Sequence, residues 1–382
     1  MRTRVISSLD QISAAAWNAL AGHDHPFLRH EFLHALERTG CTTPATGWTP
    51  QHLLLESQDR DDQHLLGAVP LYLKNNSYGE YVFDWAWAEA YGRANVPYYP
   101  KLVAAVPFSP VTGPRLLHGV HGDATHIRET LIRTTLALAE DLRVSSLHWL
   151  FTPLADTEKL EAHGLLRRVG YQFHWHNQDY ADFDHFLAGF AAHKRKKIKH
   201  ERRVVAEAGV GMEVRVGREL TPALWDIFYD FYHLTIRKHG AIPYLTRAFF
   251  HELGRLMPES IVMIFAQHAG RYIGAALNLR GTDTLYGRYW GGEDGYPGLH
   301  FETCYYRAID YCIEHRLRRF EAGAQGEHKL ARGFLPVATY SAHWLSHPQF
   351  YQAVMDFLRR ERNGVEYYMS ELSEHSPFKK TS

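Results

Sequence analysis

"SIVMIFAQHAGRYIGAALNLRGTDTLYGRYWGG", residues 260–292, decides the fold. It contains three apolar, β-branched and aromatic runs, "SIVMIFAQ" (260–267), "RYIGAALNLR" (271–280) and "TLYGRYWGG" (284–292), separated by "HAG" and "GTD". Short turns of that composition join antiparallel strands. The same order occurs once earlier, as "HLLLES" (52–57), "HLLGAVPLYLK" (64–74) and "GEYVFDWAW" (79–87), punctuated by "DRDD" (59–62) and "NNS" (75–77). After each set comes an irregular stretch, then a helical pattern, then another strand. These are 123–142 with "SSLHWLF" (145–151), and 299–316 with "LRRFEA" (317–322). Three antiparallel strands, a crossover helix and a parallel strand make a mixed α/β sheet with a right-handed crossover. The expected architecture is therefore a duplicated α/β (α+β mixed-sheet) chain. Its expected divisions are a first domain at 1–180, a connecting helix at 181–210 and a second domain at 211–382.

The 382 residues suit two domains, and 45% hydrophobic with 22% charged residues describes a globular chain with ample core material. Forty-two basic residues balance forty-two acidic ones, so any nucleic-acid or membrane charge signature has to be local. Cys41, Cys304 and Cys312 are too scattered for a disulfide framework or a zinc knuckle. The N-terminus "MRTRVISSLDQISAAAW" lacks a signal-peptide h-region, and "IVMIFA" is far shorter than a membrane span. A cytoplasmic protein is the expectation. "HDH" (23–25) and "HWH" (174–176) put two rings on one face of a strand, but two ligands without CxxC or HExxH do not make a zinc site. No metal is expected.

One local concentration of charge lies between the halves. In "DFDHFLAGFAAHKRKKIKHERRVVAEAGV" (182–210), Asp182 can cap a helix, apolar residues recur at spacings of three and four, and Gly209 offers a stop. Lys194, Arg195, Lys197 and Arg202 belong to a ten-residue run that is basic at seven positions. It reads either as a solvated helix face or as an anion site for nucleic acid, CoA or a nucleotide-linked substrate.

Together with "SYGEYVFDWAWAEAY" (77–91), "YYPKLVAAVPFSPVTGPRLL" (98–117), "GRYWGGEDGYPGLHFETCYYRAIDYCIEH" (287–315) and "FEAGAQGEHKLARGFLP" (320–336), this segment resembles the FemAB-like proteins of the GNAT-like acyltransferase superfamily. The resemblance spans most of the chain. It implies two tandem GNAT-like (acyl-CoA N-acyltransferase) domains and work on peptidoglycan or its precursors. More distantly the chain is similar to the Fem aminoacyltransferases, so acyl-CoA or aminoacyl-tRNA is the implied donor and tRNA a possible partner. The long coiled-coil arm of those enzymes has no counterpart here, and the superfamily's Q/R-x-x-G-x-G/A pyrophosphate run is absent.

Transfer of an acyl group to an amine needs a base, oxyanion donors and positive charge for the donor. GxSxG is absent, so no nucleophile elbow is expected. The stretch "FEAGAQGEHKLARGF" (320–334) gathers suitable groups at the carboxyl end of a strand, where open α/β sheets bind ligands. His328 is the candidate base, with Glu327 or Glu321 to orient it or hold an amine. Lys329 and Arg332 supply positive charge, Gln325 a polar contact, and Gly326 and Gly333 close backbone approach. On the helix that precedes it, Glu302 shares a face with Tyr306 and Asp310, beside His300. Glu293, with Asp294, opposes a pyrophosphate in its loop and suits an amine instead. Arg288, in the strand leading to that loop, is a further substrate-binding candidate. An alternative use of the same fold is recognition of a glycopeptide without chemistry.

Overall fold

A computed structural model of the chain describes residues 1–58, 64–238, 240–324 and 326–379. The expected turn at "DRDD" lies outside them. Contacts group the chain into two units, Met1–Tyr171 with Ala338–Tyr368, and the chain from Gln172 to Val337 with that from Met369 on.

The first unit holds strands β1 (Arg2–Ile6), β2 (Trp48–Pro50), β3 (His52–Glu56), β4 (Leu65–Val69), β5 (Leu71–Lys74), β6 (Lys101–Ala104), β7 (Leu117–His118), β8 (Ser146–Thr152) and the start of β9 (Leu166–His176). Its helices are α1 (Ala14–Ala21), α2 (His30–Arg38), α3 (Trp85–Arg93), α4 (Ala124–Asp141) and α5 (Leu154–Ala162). Pro70 splits "HLLGAVPLYLK" into β4 and β5, which enter different sheets, β1-β3-β4-β7 and β2-β5-β6-β8. A proline cannot donate to a ladder, so the strand changes partners there. Helix α4 starts at Asp123, whose side chain accepts from the Thr125 and His126 amides. Ile127, Leu131 and Ile132 of α4 share a core with Leu55, Leu102 and Trp149. β6 and β8 run parallel, Leu102 opposite Leu147.

One expectation fails here. "GEYVFDWAW" is not the third strand of the set: helix α3 begins at Trp85, and the strand that pairs with β5 is β6. Trp87 and Tyr91, four residues apart, are the buried positions of α3. That helical spacing was masked by aromatic residues that favour strands.

The second unit contains the end of β9 and strands β10 (Gly211–Val216), β11 (Ile261–His268), β12 (Arg271–Arg280), β13 (Thr284–Gly292) and β14 (Arg319–Glu321). Its helices are α6 (Phe183–Ala188), α7 (Ala192–Glu207), α8 (Pro222–Lys238), α9 (Arg247–Leu256), α10 (Leu299–Phe301) and α11 (Arg307–Glu314), the last two joined by a π turn at Glu302–Tyr306. β10 to β13 form an antiparallel meander, β14 adds parallel to β13, and His174–His176 of β9 close on β14. The basic segment is two helices. Between α6 and α7, Phe190 bridges Phe378 and is wholly buried, so sinking that ring breaks the helix.

Strand β15 (Leu335–Leu345) and helix α12 (Pro348–Glu374) complete the chain. Tyr340–Leu345 pair antiparallel with β8, and Val354 and Leu358 of α12 pack with Trp87, Tyr91 and Leu166. Residues 338–368 thus belong to the first unit, whereas a linear division at 180 and 211 assigns them to the second.

Candidate functional site

β13 and β14 pair over only three residues, Thr284–Tyr286 against Arg319–Glu321, and then part. The opening is reinforced from the other side. The register between β12 and β13 shifts at Leu277/Asn278, so that Leu277 faces Tyr289 and Asn278 faces Gly287, leaving Arg288 as the extra residue of a bulge. Bulges bend a strand and turn backbone groups out of the ladder. The result is a slot of about 100 Å³ lined by Asn278, Arg288, Trp290, His300, Cys304 and Tyr305, with Ala322 at the β14 end. Trp290 and His300 also border a wider chamber of about 590 Å³ formed with Lys238, Glu293, Asp294 and Tyr296.

Glu321 is the last residue of β14, directly before Ala322. Its carboxylate is 1% exposed, and neither oxygen has a hydrogen-bond partner. The Arg319 Nε lies 3.3 Å from Oε1. Burial raises its pKa against the pull of Arg319 and Arg288. A carboxylate so placed takes up a proton more readily than an exposed one.

The loop beyond it is anchored by its own backbone. Glu327–Arg332 form a 3-10 turn that starts after Gly326 at φ 117° and ends at Gly333 at φ 88°. A Cβ on Gly333 would also stand 2.8 Å from the Phe186 ring, so both conformation and space require glycine there. His328 and Glu327 are at the surface, and the Tyr305 hydroxyl lies 2.9 Å from His328 Nε2. Burial, then Arg332 and Lys329, lowers the His328 pKa. His300, half-buried beside it, is lowered to about 4 by burial first and by His328 next. Both shifts favour the neutral ring.

Lys329 is 2% exposed, and its Nζ donates to the Gly323 carbonyl at 3.1 Å. Burial and the neighbouring Arg288 lower its pKa to about 7. The predicted cation is therefore an amine poised between its charged and neutral forms.

Other candidates have internal work. Arg332 is buried, donates to Glu201 at 2.9 Å and to the His328 carbonyl at 2.7 Å, and its guanidinium lies 3.3 Å from the Phe301 ring centre. Glu302 is buried against Arg202, which also reaches Asp310 at 2.7 Å. This corrects two expectations. Arg202 is engaged by Glu302 and Asp310 rather than held free for an anion, and Glu302 does not line the slot, because the shared helix face meets α7. Glu293 pairs with Arg271, and Asp294 with Lys238 at 2.8 Å. Gln325 lies outside the described residues.

On α7 the basic run separates by face. Arg195, Lys196, Lys199, His200 and Arg203 line a surface groove of about 610 Å³. Lys197 is exposed and Lys194 half-buried, and neither borders the groove. Tyr305, Asn278, Trp290 and Lys238 escaped the sequence reading. The bulge beside Asn278 and Trp290 depends on strand pairing, and only the "YW" pair at 289–290 advertised an aromatic wall.

Among the described residues no three His, Cys, Asp or Glu side chains converge as metal ligands, and no helix is long and apolar enough to cross a membrane.

The FemAB-like family, described as peptidoglycan biosynthesis/recognition, matches residues 8–380. The chain belongs to this FemAB-like family. Among solved structures it is similar to FemX, at 11% identity and a TM-score of 0.54, with 93% of this chain and 100% of that one aligned. It is also similar to the C-terminal domain of a protein designated lysylphosphatidylglycerol synthetase from Agrobacterium fabrum, at 11% identity and TM-score 0.51 over 90% of this chain and 96% of that one. A third neighbour is a conserved protein of unknown function from Bacteroides thetaiotaomicron, at 9% identity and TM-score 0.52 over 90% and 99%. No curated protein matches the sequence. At such identities the likeness concerns the fold, and this FemAB-like chain is a mixed α/β protein of two units.

Proposed function

We propose that the protein is an N-acyltransferase that moves an acyl or aminoacyl group onto an amine, the acceptor being a peptidoglycan precursor or a related metabolite. The observation that carries the reading is Glu321, a buried carboxylate without hydrogen-bond partners beside the point where β13 and β14 part. In this scheme Glu321 takes a proton from the acceptor's ammonium group. The freed amine nitrogen attacks the carbonyl carbon of an acyl thioester or aminoacyl ester, forming the C–N bond. The C–S or C–O bond then breaks, and the leaving thiolate or alkoxide takes up the second amine proton. Lys329 in its charged form stabilises the oxyanion between these steps. His328, hydrogen-bonded to Tyr305, stands at the surface of the loop, where a proton can leave for water.

Acyl-CoA and aminoacyl-tRNA remain the two donor classes, and the α7 groove favours a phosphate-bearing one. Arg195→Glu with Lys196→Glu then weakens donor binding and flattens its salt dependence. Binding that ignores both changes removes α7 from the site.

The deciding experiment is turnover with purified protein, wall-derived amines and each donor class, read by mass spectrometry. Glu321→Gln is expected to lower kcat/KM by a factor on the order of 10² or more with the fold retained. Undiminished turnover overturns the assignment. A second reading, recognition without chemistry, draws on Arg202, Glu302 and Arg332, whose charges are consumed inside the structure. It predicts tight binding of wall fragments and no product with any donor.

A further inference from the structure

The segment Ser77–Trp85 of the first unit joins β5 to α3, and it turns its charges inward and its rings outward. Glu80 and Asp84 are 4% and 3% exposed, whereas Tyr78, Phe83 and Trp85 are 57%, 54% and 42% exposed. Beneath the segment, Lys101 Nζ donates to Glu80 at 2.8 Å, to the Ser77 hydroxyl at 2.8 Å and to Asp84. Asp84 also accepts from the Tyr98 hydroxyl. Lys74, wholly buried, donates to the Tyr78 carbonyl at 3.1 Å, and the Trp48 indole N–H donates to the same oxygen at 3.1 Å. Arg168 holds the Phe83 carbonyl at 2.7 Å. Tyr81 adopts φ 61°, a region costly for an aromatic residue.

Burying two lysines and two carboxylates is an expensive way to fasten a loop, since an apolar core of the same volume stabilises as well or better. What the network adds is fixed geometry. It holds the Tyr78 and Trp85 rings edge to face, 5.1 Å apart, against water. Rings immobilised before a ligand arrives spare the ordering cost of binding. The segment itself carries no exposed charge: between Asn75 and Ala88 the only formal charges are Glu80 and Asp84, both buried, while Glu89 and the Arg168–Glu361 pair stand at its margin. The nearest cation, Arg168, is held by Glu361 and the Phe83 carbonyl, so the shelf aims no spare positive charge at a phosphate or a lipid headgroup. It suits a neutral ring with one apolar C–H face and hydroxyl or amide edges, with Asn75 exposed at one end.

We infer that Tyr78, Phe83 and Trp85 form a saccharide-binding shelf for uncharged N-acetylhexosamine units. The choice of saccharide rests on the reading of the acceptor as a cell-wall precursor, while the shelf itself is an additional site in the first unit.

The test is isothermal titration of the full chain with N-acetylglucosamine oligomers and with a disaccharide-peptide wall fragment. Saturable binding is expected. Trp85→Ala or Tyr78→Ala should weaken it at least tenfold, and Trp85→Phe should preserve it to within a few-fold. Circular dichroism checks that each variant is folded. Transfer to a small, sugar-free amine should be the same in Trp85→Ala as in the parent. Absence of saccharide binding, or equal binding by folded Trp85→Ala, overturns the shelf. So does a change in sedimentation on Trp85→Ala without loss of saccharide binding, which assigns the rings to a second copy of the chain. If saccharide binds through Trp85 while no donor yields product, the shelf stands and the transferase reading falls.

Discussion

Arg202 holds Glu302 with two nitrogens, Nε at 3.1 Å and Nη2 at 2.9 Å from Oε1, while Nη2 also reaches Asp310 at 2.7 Å. A carboxylate that sequence spacing placed beside a substrate is thus the partner of a cation that sequence placed on an external anion. Both belong to the seam between α7 and the helix that runs from Leu299 to Glu314.

Removing one partner of this seam leaves a buried charge. Arg202→Ala is expected to cost roughly 3 kcal/mol of stability in urea unfolding. Arg202→Met combined with Glu302→Leu should recover part of the loss, because only Asp310 then remains to be neutralised, with Arg307 at 3.8 Å. An equal loss in the double variant argues that packing, not charge, holds the seam.

Glu321 acts as a base only when ionised, and burial raises its pKa above the ordinary glutamate value. Activity should therefore climb with pH through that raised pKa, and the acidic limb should vanish in Glu321→Gln. The measurement is kcat/KM against pH; an acidic limb that survives the substitution belongs to another group.

Lys329 has a folded-state pKa of about 7 against an ordinary 10.5, so the unfolded chain binds more protons between those values. Its penalty is full below about pH 7 and is relieved as pH rises toward 10.5. Lys329→Met should raise the melting temperature at pH 6 by more than at pH 9. The same gain at both pH values would place the amine in an environment that does not disfavour its charge.

Gly291 of β13 leaves no room for a side chain, because an added Cβ would stand 1.9 Å from the Phe231 carbonyl of α8. Gly291→Ala should cost roughly 3 kcal/mol through displacement of that helix from the sheet. Gly295→Ala, with open space around its Cβ but φ 93°, should cost less, and thermal unfolding of the pair separates crowding from backbone strain.

Much of this was legible in the chain. The meander 260–292 showed itself by alternation and turns, the helical pattern at 123–142 holds, and Asp182 marked a helix start that the structure keeps. The "LRRFEA" strand and the glycine-rich loop after it placed Glu321, Lys329 and His328 in one neighbourhood. What stayed hidden depended on long-range partners. Nothing local distinguishes Lys329, whose ammonium is buried, from Lys197, whose ammonium is exposed. Nor does spacing reveal that Arg332 spends its charge on Glu201, 131 positions earlier. The bulge at Arg288 exists only against β12. The strand character assigned to 79–87 came from counting aromatic residues where the interval between Trp87 and Tyr91 was the better guide.

Strand β15 reaches β8 across almost two hundred positions, His343 opposite His148 with their Nδ1 atoms 2.7 Å apart. During synthesis the ribosome must therefore translate residues 172–337 of the second unit before the first can close its sheet. Until then β8 presents an unfilled edge to the cell, inviting pairing with other nascent chains or capture by chaperones. Fragments ending before residue 338 should accumulate as aggregates even though they hold every residue that lines the second unit's slot.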